Sequence, residues 1–126
     1  MVKSRKILIV DDETSWVEIL SVGLASYGFK AIHARNGEEG FKLALGERPD
    51  LILLDVVMPK MDGMTVMRKL RQDEWGRDVP IILFTNLKPN EEIMRRVAID
   101  RPAFYLVKTD CEPVDVIGKI KEVLSC

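Results

Sequence analysis

The sequence predicts a doubly wound α/β fold, a five-stranded parallel sheet in the order 2-1-3-4-5 with five helices. Three observations carry that expectation. The runs Ile7–Val10, Leu51–Leu54 and Ile81–Phe84 are wholly apolar, as strands covered on both faces must be. Between such runs, apolar residues recur at spacings of three and four, the period of a helix that buries one side. The two signals alternate along the chain, and parallel neighbours need a right-handed crossover between them, which a helix supplies.

Element by element, the first strand Ile7–Val10 runs into three consecutive acids, Asp11, Asp12 and Glu13. The first helix follows from Val17, Leu20, Leu24 and Tyr27, and Tyr27-Gly28 closes it. Lys30–Ala34 is a strand of mixed polarity, which suits a sheet edge. Phe41 and Ala44 mark the second helix, and Arg48-Pro49-Asp50 punctuates the approach to the third strand, Leu51–Leu54. Met58, Met61, Met64 and Met67 fill the core and the loop beyond that strand. Asp78-Val79-Pro80 precedes the fourth strand, and Ile93 with Val97 marks the fourth helix. Phe104–Lys108 is again mixed, hence the second edge. Val116, Ile117, Ile120, Val123 and Leu124 form the stripe of the last helix. Apolar strands inside and mixed strands outside give the flavodoxin-like order rather than a half-barrel, which would need more units.

At 126 residues the chain reads as one domain over 1–126, with no output domain attached. Its 47% hydrophobic and 31% charged residues are those of an ordinary folded protein. Nineteen Lys plus Arg against 20 Asp plus Glu leave a net charge of −1, which argues against nucleic acid or a membrane surface as a partner held by bulk charge. Two cysteines, Cys111 and Cys126, without metal-ligand spacing suggest a reducing, cytoplasmic setting. The basic start from Met1 to Lys6 leads into too short an apolar run for export, and no stretch approaches a membrane span.

In a sheet of this order, ligands gather beyond the carboxyl ends of the strands at the switch point. Asp11 and Asp12 lie at that rim, with Asp55, Thr85 and Lys108 from the third, fourth and fifth strands. Carboxylates gathered there repel one another unless a cation joins them, and hard oxygen donors select Mg²⁺, Mn²⁺ or Ca²⁺. A Lys ammonium, a Thr hydroxyl and a divalent cation around a carboxylate can neutralise a phosphoryl group, and the carboxylate can serve as its nucleophile.

Four segments then resemble, in order and spacing, the receiver domain of bacterial two-component response regulators. They are Asp11-Asp12, Leu53 to Gly63, Asp78 to Thr85, and Tyr105 to Lys108. The resemblance covers about Lys6 to Leu124. It implies that Asp55 is the phosphoacceptor, that Asp11, Asp12, Asp55 and the Val57 carbonyl hold Mg²⁺, and that Thr85 and Lys108 attend the phosphoryl group. Thr85 and Tyr105 would form the switch. The implied donor is a sensor histidine kinase or a histidine phosphotransfer protein. The implied output is a target protein or a second copy docking on the fourth helix, fifth strand and fifth helix. The domain would be no enzyme beyond its own phosphotransfer and dephosphorylation.

Several positions depart from the family's commonest pattern. Thr109 replaces the usual proline after the Lys, so the Lys108–Thr109 peptide is expected trans. Asn86 stands where a small residue is usual, and its amide either crowds a phosphoryl group or hydrogen-bonds it. Val57 and Leu87 are apolar where side chains influence the approach of water. The rival readings are a pseudo-receiver that binds proteins without phosphorylation, an aspartyl-phosphate phosphohydrolase and a nucleotide-binding flavodoxin-like protein. The second lacks its acid because Val57 stands there, and the third lacks a Gly-rich loop. His33 reads as a surface or partly packed residue rather than a phosphocarrier, Trp16 as a packing residue of the first helix and Trp75 as part of a polar loop.

Overall fold

The computed structural model describes residues 4–125. Cys126 and the first three residues of the basic start lie outside the described residues. The apolar runs become β1 (Lys6–Val10), β3 (Leu51–Leu54) and β4 (Ile81–Thr85), all buried except Lys6, while β2 (Lys30–Ala34) and β5 (Phe104–Val107) are mostly half-buried edges. Pairing is parallel throughout, in the order β2-β1-β3-β4-β5.

Because side chains alternate along a strand, the sheet has two cores. Ile7, Ile9, Leu51, Leu53, Ile82 and Phe84 point to one face, where α1 (Thr14–Ser26) brings Val17, Leu20 and Leu24 and α5 (Pro113–Val123) brings Val116, Ile117 and Ile120. Leu8, Val10, Ile52, Leu54, Ile81 and Leu83 point to the other. There they meet α2 (Gly37–Glu47), α3 (Gly63–Arg71) and α4 (Glu91–Asp100) through Ala44, Met64, Met67, Leu70 and Ile93. Each fully buried Leu or Ile contributes about 1.5–3 kcal/mol of transfer free energy, so the two stripes dominate stability.

Local chemistry fixes where the helices start. Asn36, Asp62 and Asn90 cap α2, α3 and α4 by accepting from Glu39, Thr65 and Ile93 N–H at 2.9 Å each. Glu112 and Asp115 close a reciprocal capping box on α5, with Pro113 in its first turn. Gly28 ends the turn after α1 at φ 87°, a left-handed conformation that glycine adopts without strain.

The structure departs from expectation at three places. Tyr27 lies past the end of α1 and is exposed, with the Lys121 ammonium 4.1 Å over its ring. Trp75 packs against the α2–α3–α4 core rather than standing in a polar loop. The fifth strand stops at Val107, because Lys108 turns into a single 3₁₀ turn, Lys108–Asp110. The Lys108–Thr109 peptide is trans, as the replacement of proline by Thr109 predicts.

Candidate functional site

Parallel pairing runs one residue past the strands at their carboxyl ends. Asp11 N–H donates to the Ala34 carbonyl at 3.0 Å and Asp55 N–H to the Val10 carbonyl at 2.9 Å, so both aspartates leave the sheet in fixed directions. Behind Asp55 the chain returns into α3 through Gly63, whose N–H donates to the Val56 carbonyl at 2.8 Å. A Cβ at Gly63 would lie 2.0 Å from the Asp55 carbonyl oxygen, so only glycine permits this close return.

Lys108 reaches the same place from the end of β5. Its Nζ lies 2.8 Å from Asp11 Oδ2, 2.7 Å from Glu13 Oε1 and 3.2 Å from Asp55 Oδ2, with Lys108, Asp11 and Asp55 all buried. The ammonium also stands 5.5 Å over the Phe84 ring, which Trp16 meets edge-on at 4.8 Å. Burial acts to lower the Lys108 pKa, but the hydrogen bonds to Asp11 and Glu13 and the charges of Asp11 and Asp55 outweigh it and raise the pKa. Burial pushes the Asp11 carboxyl up, against the pull of Lys108 and of the Glu13 N–H that donates to it at 2.9 Å.

Carboxylate oxygens of Asp11, Asp12 and Asp55 lie within 4.8 Å of one another, two of the residues buried and Asp12 exposed. This is a hard-oxygen donor set opening to solvent, and it fits a divalent cation that keeps several waters. The opening is a cleft of about 460 Å³ lined by Asp12, Glu13, Asp55, Val57, Thr85, Asn86 and Leu87. Val57 is 62% exposed there, and its N–H donates to Asp55 Oδ1 at 3.3 Å.

Thr85 is buried at the end of β4, and its Oγ1 accepts from the Leu87 N–H at 3.3 Å. The Leu87 carbonyl in turn accepts from the Tyr105 hydroxyl at 2.6 Å. Thr85 and Tyr105 are therefore joined through one residue. Burial, and then the Asp55 charge, raises the Tyr105 phenol above its ordinary value. His33 is half-buried on β2, its Nε2 hydrogen-bonded to the Asp11 carbonyl at 2.9 Å. Every residue expected at the rim is present there. Glu13, which stands at the same rim in the run of acids but has no role expected of it there, also reaches Lys108.

The family model for the response regulator receiver domain matches residues 7–121. Among curated relatives, the alkaline phosphatase synthesis transcriptional regulatory protein PhoP of Bacillus subtilis is 37% identical over 96% of this chain and 49% of its own length. The phosphate regulon transcriptional regulatory protein PhoB of Pseudomonas aeruginosa is 32% identical over 95% of this chain and 52% of its own. The chain thus spans about half the length of these relatives. A receiver domain of a signal transduction histidine kinase from Syntrophus aciditrophicus matches with TM-score 0.84 at 34% identity, covering 97% of this chain and 91% of that one. A CheY-like receiver domain protein from Methanospirillum hungatei matches with TM-score 0.88 at 26% identity, covering 98% and 95%.

Proposed function

This chain belongs to the response regulator receiver domain family, and from that membership we propose that Asp55 is its phosphoacceptor, served by Lys108 and Thr85. The observation that carries the reading is the buried Lys108 ammonium 3.2 Å from Asp55 Oδ2 beneath an open cleft. Burying an ammonium among carboxylates costs several kcal/mol per ion before their attraction is counted. That arrangement suits a site whose charges act on an incoming group.

The donor is a phosphohistidine on a sensor histidine kinase or a histidine phosphotransfer protein. One Asp55 carboxylate oxygen attacks phosphorus; the P–O bond forms as the P–N bond breaks. The histidine nitrogen leaves with the bonding pair and takes up a proton. Lys108 pairs with the transferred oxygens, and the Thr85 hydroxyl turns to donate to one of them. Asp11, Asp12, Asp55 and the Val57 carbonyl would hold Mg²⁺, which supplies further charge neutralisation when bound. With Val57 and Leu87 apolar at the mouth, no side chain at those two positions can orient a water for hydrolysis.

Output passes through Thr85. When its hydroxyl turns toward the phosphoryl group, the hydrogen bond from Leu87 is lost, and with it the fixed acceptor of the Tyr105 hydroxyl. Tyr105 then repacks on β5, altering a face of α4, β5 and α5 that carries Arg95, Arg96 and the Lys119–Glu122 pair. A target protein or a second copy docks there.

Intact mass after treatment with a small phosphodonor tests the assignment. One phosphoryl group is expected on the wild type with Mg²⁺, and none with EDTA or in Asp55→Asn. Equal uptake by Asp55→Asn overturns it.

A further inference from the structure

The shortest contact of the Lys108 ammonium is to Glu13, at 2.7 Å, against 3.2 Å to Asp55. Glu13 reaches it from solvent, its side chain 42% exposed where that of Lys108 is 2%. The same Oε1 accepts from Asn86 Nδ2 at 3.3 Å, so Glu13 ties the loop after β1 to the loop after β4 across the cleft. Glu13 is also the N-cap residue of α1, yet its side chain caps no backbone N–H of that helix. Glu, with its longer arm, is not among the favoured side-chain N-caps, so its carboxylate is free to reach elsewhere. Here the Glu13 N–H is held by Asp11 Oδ1, which leaves the side chain directed over the mouth.

We propose that Glu13 is a positioning residue that, steadied by Asn86, holds the Lys108 ammonium toward the outer side of the cleft. Lys108 must leave Glu13 before it can pair fully with phosphoryl oxygens on Asp55. The role depends on the reading of Asp55 as phosphoacceptor. Glu13 and the incoming phosphoryl group compete for one ammonium, so Glu13 stabilises the unphosphorylated arrangement and slows uptake. Asn86 shares in this: once Lys108 swings inward, the carboxylate loses its main partner and the Asn86 amide loses its anchor.

A charge at the mouth would also slow an anionic donor merely by repelling it, and two variants separate the effects. Glu13→Gln removes both the charge and the strong acceptor. Glu13→Asp keeps the charge but ends one bond short of Lys108 and Asn86. Uptake from a small phosphodonor at saturating Mg²⁺ is expected to rise roughly two- to fivefold in both, the worth of a half-exposed ion pair. In the unphosphorylated proteins, NMR signals of the Asn86 side-chain amide and the Lys108 ammonium are expected to shift in both variants. Acceleration in Glu13→Gln alone means repulsion is the whole effect and overturns the proposal. Wild-type rates in both variants, or unmoved Asn86 and Lys108 signals, also overturn it. A wild type that takes up no phosphoryl group overturns the reading of Asp55 itself, before any variant is compared.

Discussion

The two ends of the sheet bury charge in opposite ways. At the carboxyl end, Lys108 is shared among Asp11, Glu13 and Asp55, with Asp12 beside them, so negative charge is in excess. At the amino end, Arg71 spends its guanidinium on backbone carbonyls. Its Nε donates to Asp100 at 2.7 Å, and one Nη donates to Gly76 at 2.9 Å and Val79 at 2.7 Å. Those carbonyls come from the end of α4 and the segment entering β4, where the helix end and loop have no ladder to satisfy them. One end is a closed bolt with its polar groups paired. The other is a cluster with more carboxylates than cations, open to solvent through the cleft.

The sharpest way to break this contrast is to remove the bolt. Arg71→Met keeps most of the apolar stem and strands four carbonyls, that of Arg101 at 3.4 Å being the fourth, which is expected to cost about 3 kcal/mol of stability. Urea denaturation reads the loss. Phosphoryl uptake at a temperature where the variant stays folded is expected to match the wild type. A variant as stable as the wild type would show that Arg71 is not the fastening of that end.

At the open end the expectation is reversed and smaller. Asp55→Asn takes one carboxylate from the crowded cluster, so without added metal it is expected to be no less stable than the wild type. Mg²⁺ at about ten times its dissociation constant is expected to stabilise the wild type by about 1.4 kcal/mol, and most of that gain is expected to vanish in Asp55→Asn. Thermal melts with and without Mg²⁺ check both parts. A variant that melts well below the wild type in EDTA would show that Asp55 fastens the fold.

The same asymmetry decided what could be read in the sequence. Strand interiors were legible because burial on both faces forces unbroken apolar runs, and Leu51–Leu54 and β4 match within one residue. The rim was legible because Asp11, Asp55 and Thr85 each stand at the end of such a run, and Lys108 at the end of the mixed edge strand. Arg71 gave no signal, since its partners are carbonyls that carry no residue identity. Glu13 was visible as the third acid, but its pairing with Lys108 lies 95 positions away. Trp75 reads as a loop residue because its sequence neighbours are polar, while its own ring packs on the core.

The smallest expected effect lies at Tyr105, where the open end reaches the proposed docking face. Burial holds its phenol above the ordinary value of 10.0, and the Asp55 charge adds to that. The folded protein therefore keeps this proton where the unfolded chain begins to lose it. The stability it contributes is complete below the unfolded value and lost as pH rises through the folded one. In a Tyr27→Phe background Tyr105 is the sole tyrosine, and its ultraviolet titration reports it alone. Its midpoint is expected to fall in Asp55→Asn but to stay above 10, because burial, the larger cause, remains. Adding a phosphoryl group in place of removing the charge has the opposite sign at Asp55. Its effect on the phenol also depends on whether the Leu87 carbonyl still accepts the hydroxyl. Tyr105→Phe, which loses only that bond, is expected to cost about 0.5–1.5 kcal/mol at neutral pH. Identical titrations with and without the Asp55 charge would show that Tyr105 does not sense Asp55 through space. Coupling from Asp55 to Tyr105 would then rest on contacts such as those running from Thr85 through Leu87.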